Sequence, residues 1–244
     1  MPSDTPVILI TGSARRVGAA IARHLHGAGY DIVIHHRSAT AEAQALVAEL
    51  DGRRPGSTLR LQAELSDIEA LPALVDHVVA RFGRLDVLVN NASGFYPTPV
   101  GTTSVAQWNE LFASNAQAPY FLSQAAAPQL RARQGCILNL LDLYASSPLA
   151  GHPVYCMAKA ALAMMTLALA KELAPDIRVN GVAPGAVLWP EAGKPAEDQR
   201  AMIARTPLQR AGTPQDIAQA ALFLIRDAPF VTGQILHVDG GRSI

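Results

Sequence analysis

Seven short apolar runs punctuate this chain, at residues 7–10, 32–34, 59–61, 87–89, 137–141, 177–182 and 235–238. Most run without polar alternation, which is how strands covered on both faces read. Between them lie helix-length segments with apolar residues three and four apart, at 17–28, 39–50, 68–82 and 154–173. Strand and helix in alternation with short connections predict an α/β fold: a doubly wound, mostly parallel sheet of about seven strands flanked by helices.

At 244 residues, half of them apolar, the chain can bury the core this fold needs, and one domain over 1–244 is expected. Acidic and basic residues number 20 each, so the basic footprint of a nucleic-acid or anionic-membrane binder is missing. The two cysteines, Cys136 and Cys156, have neither zinc-site spacing nor His partners, so no metal site is expected. They suit a reducing compartment. The first apolar run stops at Thr11-Gly12, and the alanine-rich stretch 160–174 is broken by Lys171 and Glu172, so neither reads as a membrane span. A cytoplasmic location is the expectation. The irregular stretch 184–214, rich in Pro and Gly around a helical 197–204, is expected to be a substrate-binding lid, although a plain surface loop has the same composition.

The first strand runs into Thr11-Gly12-Ser13-Ala14-Arg15-Arg16-Val17-Gly18, and a helical pattern follows at once. Glycines there allow a tight turn and close approach of a pyrophosphate to the helix N-terminus, the Rossmann-type arrangement; Gly12 and Gly18 could also serve turn and packing alone. The second strand ends His35-His36-Arg37-Ser38. An enzyme for NAD places a carboxylate here. Arg37 and Ser38, beside His36, instead suit a 2′-phosphate, so NADPH is the expected cofactor, with a solvated surface arginine as the plainer reading. Glu64-Leu65 after the third strand falls at the expected adenine position, and Asn91-Ala92-Ser93 after the fourth lines the same crevice.

Tyr155 and Lys159 are four apart in a helical segment and share a face. With five tyrosines and three lysines in the chain, such a pair arises by chance about 0.06 times. The ammonium is expected to lower the phenol from about 10 and fit it for proton transfer.

These motifs, with Arg-Val-Asn-Gly-Val-Ala-Pro-Gly at 178–185 and Val-Asp-Gly-Gly at 238–241, resemble the short-chain dehydrogenase/reductase family along nearly the whole chain. The resemblance implies an oxidoreductase transferring hydride from nicotinamide C4. Tyr155, Lys159 and Asn115 would be its catalytic residues, with Asn115 supporting a relay water and Lys159 also holding the nicotinamide ribose. Gly12, Arg16, Val17, Gly18, Asn91, Ala92, Pro184 and Gly185 would line the cofactor site. It also implies a homotetramer packed through the helices of Asn115 and Tyr155, for which Ala158, Ala161 and Ala168 offer a small-residue face.

Two departures stand out. The cofactor turn carries Arg16 where a glycine is usual, and Asp142 stands thirteen residues before Tyr155, where most members place a serine that donates to a carbonyl oxygen. An ionised carboxylate only accepts hydrogen bonds, so it suits a substrate presenting N–H groups; a turn cap is the ordinary alternative for Asp142. Both departures, with Asn91-Ala92-Ser93-Gly94-Phe95-Tyr96-Pro97, resemble the pteridine reductase branch. That resemblance implies reduction of a pterin or folate to its tetrahydro form. Phe95 would stack on the ring, Ser93 and Arg16 would bind its polar edge, and Asp142 and Tyr155 would hold and protonate it. Reduction of a 3-oxoacyl or small ketone substrate by the same family, or NADPH sensing without turnover, are the competing expectations.

Overall fold

The computed structural model describes residues 4–189, 193 and 195–244. Seven strands, β1 (Val7–Ile10), β2 (Asp31–His36), β3 (Thr58–Gln62), β4 (Val87–Asn90), β5 (Cys136–Leu140), β6 (Arg178–Pro184) and β7 (Ile235–Val238), form one sheet in the order β3-β2-β1-β4-β5-β6-β7. Every pairing is parallel. The sheet is therefore doubly wound and Rossmann-type. The chain moves outward from β1 to β3, then crosses back to lay β4 beside β1, which opens a crevice at the carboxyl ends of the strands.

Successive residues of β1 face opposite sides, as the pleat requires. Ile8 and Ile10 pack beneath α1 (Arg16–Gly27), α2 (Thr40–Arg53) and α8 (Pro214–Leu222). Val7 and Leu9 pack beneath α3 (Leu71–Phe82), α5 (Ala118–Arg131) and α6 (Pro153–Glu172). Each such aliphatic side chain contributes ~1.5–3 kcal/mol by leaving water. The two edge strands differ from expectation: after Thr58, β3 alternates half-buried and exposed, and both central residues of β7 are exposed. An outer strand has a neighbour on one side only, so helices cover it incompletely.

Residues 105–131 form one continuous helical path, comprising α4 (Val105–Phe112), a π-helical turn over Ala113–Gln117, and α5. Ser104 and Gln107 close a reciprocal capping box at its start. Pro119 explains the widened turn. It has no N–H to offer the Asn115 carbonyl, and its ring crowds the preceding turn. A buried polar chain then locks these helices to the sheet. Asn90 donates to Asn139 (2.9 Å) and Ser123 (3.2 Å), and Asn139 donates to Thr166 (2.9 Å).

α6 is long and apolar enough by composition to cross a membrane, yet 44% of its apolar window is buried inside the chain and Lys159 lies in the core with it. It is a core helix here. The remaining helix, α7 (Ala196–Ala204), belongs to the irregular stretch 184–214, of which residues 190–192 and 194 lie outside the described residues.

Candidate active site

Past the carboxyl ends of β1 to β6 lies a cavity of about 1420 Å³. Every catalytic, cofactor or substrate residue expected from the sequence lines it except Asn115, which is buried. A second concavity, of about 510 Å³, lies at the opposite edge of the sheet and contains none of them.

The cofactor turn is built by close approach. Gly12 has a φ of +61°, and a Cβ there would meet Ala92 at 3.0 Å. A Cβ on Gly18 would lie 2.6 Å from both Asn91 Nδ2 and Gly12 O. Arg16 is itself left-handed, with a φ of 55°. A non-glycine held there marks strain that the surroundings over-determine. Its Nη2 donates to Trp189 O at 3.0 Å, tying the turn to the segment after β6. Thr11 Oγ1 accepts from the backbone N–H groups of Asn91 (2.9 Å) and Ala92 (3.0 Å), and Asn91 Nδ2 donates back to Thr11 O (2.8 Å). The N-terminus of α1 has no side-chain cap and no acidic residue in its first turn. Its first-turn N–H groups and positive dipole end face the cavity, a fit for pyrophosphate.

His35 was not singled out from the sequence. Its Nδ1 accepts from Gly12 N at 3.1 Å, so Nε2 carries the proton and reaches Ala63 O at 3.2 Å. Burial pushes it down to about 4, so it is neutral at pH 7 and pins the turn. The His-His pair was the available signal, but only the fold tells which ring turns inward. His36 Nε2 accepts from Arg60 Nη1 at 3.2 Å, which leaves Nδ1 as a buried donor with no protein partner among the described residues. Arg37 is exposed and lies 3.8 Å from Glu64. Ser38, His36 and Arg37 together present donors to the adenosine end of the cavity, and no carboxylate follows β2. These residues fit a phosphorylated dinucleotide.

At the other end, Asp142 uses both oxygens. Oδ1 accepts from Tyr144 N (3.0 Å), capping the short 3-10 turn Leu143–Ala145, and Oδ2 accepts from the Tyr155 hydroxyl (2.8 Å). The cap and the site role thus coexist in one carboxylate. Burial raises Asp142 above the usual carboxylate range, against the pull of its hydrogen bonds, Lys159 and Arg242.

The expectation that Lys159 lowers the phenol is corrected. Tyr155 lies well above 10, first through burial and then through Asp142, while Lys159 Nζ sits 5.8 Å from the ring centre and donates to Leu140 O at 2.8 Å. Burial and the neighbouring carboxylate thus raise the phenol together, and burial acts on the lysine as well, bringing the ammonium down to about 8. Asn115 donates to Leu111 O (2.9 Å) and Gly94 O (3.0 Å) and accepts from Ser93 Oγ (2.7 Å). It orients Ser93, which pulls the Tyr155 phenol down against the larger upward causes. Phe95 packs edge-on to Tyr155 (4.8 Å) and stacks on His152 (4.7 Å, 11°). His152 therefore covers one face of Phe95, another contact the sequence did not reveal.

Lys159 yields a stability prediction. Its folded value of about 8 lies below the ordinary 10.5, so the native state binds fewer protons between those limits. The wild type therefore gains stability as pH rises through that window, and the penalty of the buried ammonium, about 3 kcal/mol, is fully present below pH 8. Lys159→Met should raise the Tm at pH 7 by on the order of 5 °C. The gain should shrink towards pH 10.5, as calorimetry across that range would read.

The family model described as enoyl-(acyl carrier protein) reductase matches residues 12–243. Pteridine reductase 1 of Leishmania tarentolae is 39% identical over 280 aligned residues, covering 98% of this chain and 96% of that protein. A 3-oxoacyl-(acyl-carrier-protein) reductase of Staphylococcus aureus is 33% identical, covering 97% of this chain and 98% of its own length. An uncharacterized oxidoreductase of Mycobacterium tuberculosis is 37% identical over 98% of this chain and 93% of its own.

Proposed function

The chain belongs to the short-chain dehydrogenase/reductase family, and on that premise we propose that it is an NADPH-dependent reductase of pterins, dihydropterin foremost, with dihydrofolate or oxidised pterin as further substrates. Membership brings an oxidoreductase and a nicotinamide cofactor. The choice of a nitrogen heterocycle rests on one observation: the acid at 142, bonded to the Tyr155 phenol inside the cavity, stands where a carbonyl-reducing member needs a donor.

An ionised carboxylate accepts N–H hydrogen bonds and repels a carbonyl oxygen, so Asp142 discriminates between the two substrate classes by sign. The exposed face of Phe95 is free to stack a flat ring, while His152 backs it. Tyr155 donates the proton to the ring nitrogen. Asp142, ionised and 2.8 Å away, holds that hydroxyl in place, and the proton it gives up is restored from solvent water. NADPH supplies the hydride, and Arg37, Ser38 and His36 favour the dinucleotide that carries a 2′-phosphate. Lys159 Nζ, fixed on Leu140 O, holds a cation beneath the site for the nicotinamide ribose.

The chain works as one domain over 1–244 in the cytoplasm, with 184–214 closing over the substrate. It assembles as a homotetramer through α4, α5 and α6. The small-residue face suggested from the sequence is only partly available for this, because Ala158 is fully buried within its own chain. Met157, Met164 and Leu167 are the large apolar residues α6 exposes, and Tyr120 and Trp108 join them from α5 and α4.

The relatives divide between the pterin and ketone readings, so the test sets them against each other. NADPH consumption should be rapid with dihydrobiopterin, at least about a hundredfold slower with NADH, and negligible with acetoacetyl thioesters. Turnover of the thioester with none of the pterin would transfer the assignment to the ketone class.

A further inference from the structure

We infer that Arg205 and Arg242 form an anion-binding subsite at the outer end of the cavity, which selects a heterocyclic substrate whose side chain carries a carboxylate or phosphate. This rests on the pterin reading and adds a preference to it.

The C-terminal turn is built to hold Arg242 in place. Gly240 and Gly241 both have positive φ, of 66° and 86°. A Cβ on Gly240 would meet Thr206 at 2.8 Å, and one on Gly241 would meet Pro207 at 3.0 Å, so the turn packs hard against the residues that follow α7. Asp239 accepts from Gly241 N (2.9 Å) and Ser243 N (2.8 Å), and Gly240 O accepts from Leu208 N (3.1 Å). From this frame Arg242 Nη1 donates to Met202 O (3.1 Å), leaving the rest of the guanidinium on the cavity wall that Arg205, at the end of α7, also lines.

Several arginines on the outer faces, Arg23, Arg53, Arg131, Arg210 and Arg226 among them, pair with neighbouring carboxylates. Among the described residues, Arg205 and Arg242 do not. Asp198 lines the same wall but makes no ion pair with either. Both guanidiniums act on the Tyr144 phenol, and Arg242 also acts on Asp142, which places their field inside the cavity rather than in bulk solvent. Guanidinium forks match planar carboxylate and phosphate oxygens, and two of them facing a cleft without counter-ions are arranged for an anionic ligand. At about 1420 Å³ the cavity exceeds the ordinary range for one small ligand of ~300–1,000 Å³, as a cleft taking a dinucleotide and a tailed substrate must.

The test is the ratio of kcat/KM for a charged-tail to a neutral-tail substrate. Dihydrofolate and dihydroneopterin triphosphate, one carboxylate and one phosphate, are each compared with dihydrobiopterin under NADPH. In the wild type the ratio for the preferred anion should exceed one and fall as salt rises from about 50 to 500 mM. In Arg205→Gln/Arg242→Gln it should fall about tenfold, carried by KM, with partial recovery in Arg242→Lys. A merely structural role, or action through Asp142, would lower charged and neutral substrates together. An unmoved ratio in the double variant, with no salt effect in the wild type, would overturn the subsite while leaving pterin reduction intact. Absence of turnover with all three substrates would instead overturn the functional reading and the subsite with it.

Discussion

Replacing Tyr155 by Phe is expected to lower kcat for dihydropterin about a thousandfold while NADPH affinity stays within about threefold of wild type. The substitution removes one oxygen from a residue that is 3% exposed and keeps the ring that packs edge-on against Phe95. The cofactor turn is held elsewhere, by Thr11, Asn91 and His35, so binding has no reason to follow activity. What is lost is the hydroxyl whose proton lies between Tyr155 and Asp142. Losing a general acid costs ~10²–10⁴ in rate. Stopped-flow reduction combined with fluorescence titration of NADPH separates the two quantities. A variant keeping a tenth of the activity would mean that the proton comes from another group, and equal cofactor binding by an inactive wild type would favour a sensor.

The interior of this fold was readable because strands covered on both faces cannot alternate, and all seven runs found from sequence lie within or across the strands observed. The edges were less readable. β7 carries mostly apolar letters and only its position at the sheet edge leaves it half exposed, whereas the Leu59-Arg60-Leu61 alternation of β3 did mark a strand with one open face. The Tyr155–Lys159 spacing placed both residues on the inner face of α6, where they line the cavity. Their electrostatics ran the other way, since sequence supplies the neighbouring charge but not the depth of burial that raises the phenol and lowers the ammonium.

Asn115 was pointed to only by resemblance. The physical signal for its turn was Pro119 four residues on, inside a helical pattern. His35 and Arg242 were missed for a common reason. Each acts through a partner distant in sequence, Gly12 in one case and Met202 in the other, and local patterning carries no trace of such a contact.

The second large effect is expected at Asp142, whose two oxygens hold Tyr144 N and the Tyr155 hydroxyl at the wall of the cavity. Serine is smaller and neutral, and it can still cap the turn through its oxygen, so the backbone there should survive. Its hydroxyl can donate to a carbonyl oxygen, which the carboxylate cannot. It can no longer offer a buried anionic acceptor to a ring N–H, worth ~1.5–3 kcal/mol for a hydrogen bond to a charged group. Removing the charge also lets Tyr155 fall back from its raised state, because Asp142 is the largest cause of that rise after burial.

The most direct measurement is therefore kcat/KM for dihydrobiopterin and for an acetoacetyl thioester, with NADPH, in the wild type and in Asp142→Ser. The expected result is a fall of about a hundredfold on the pterin together with a gain on the thioester. Pterin reduction left unchanged by the serine, with no gain on the thioester, would contradict the assignment of Asp142 as the residue that selects a nitrogen heterocycle.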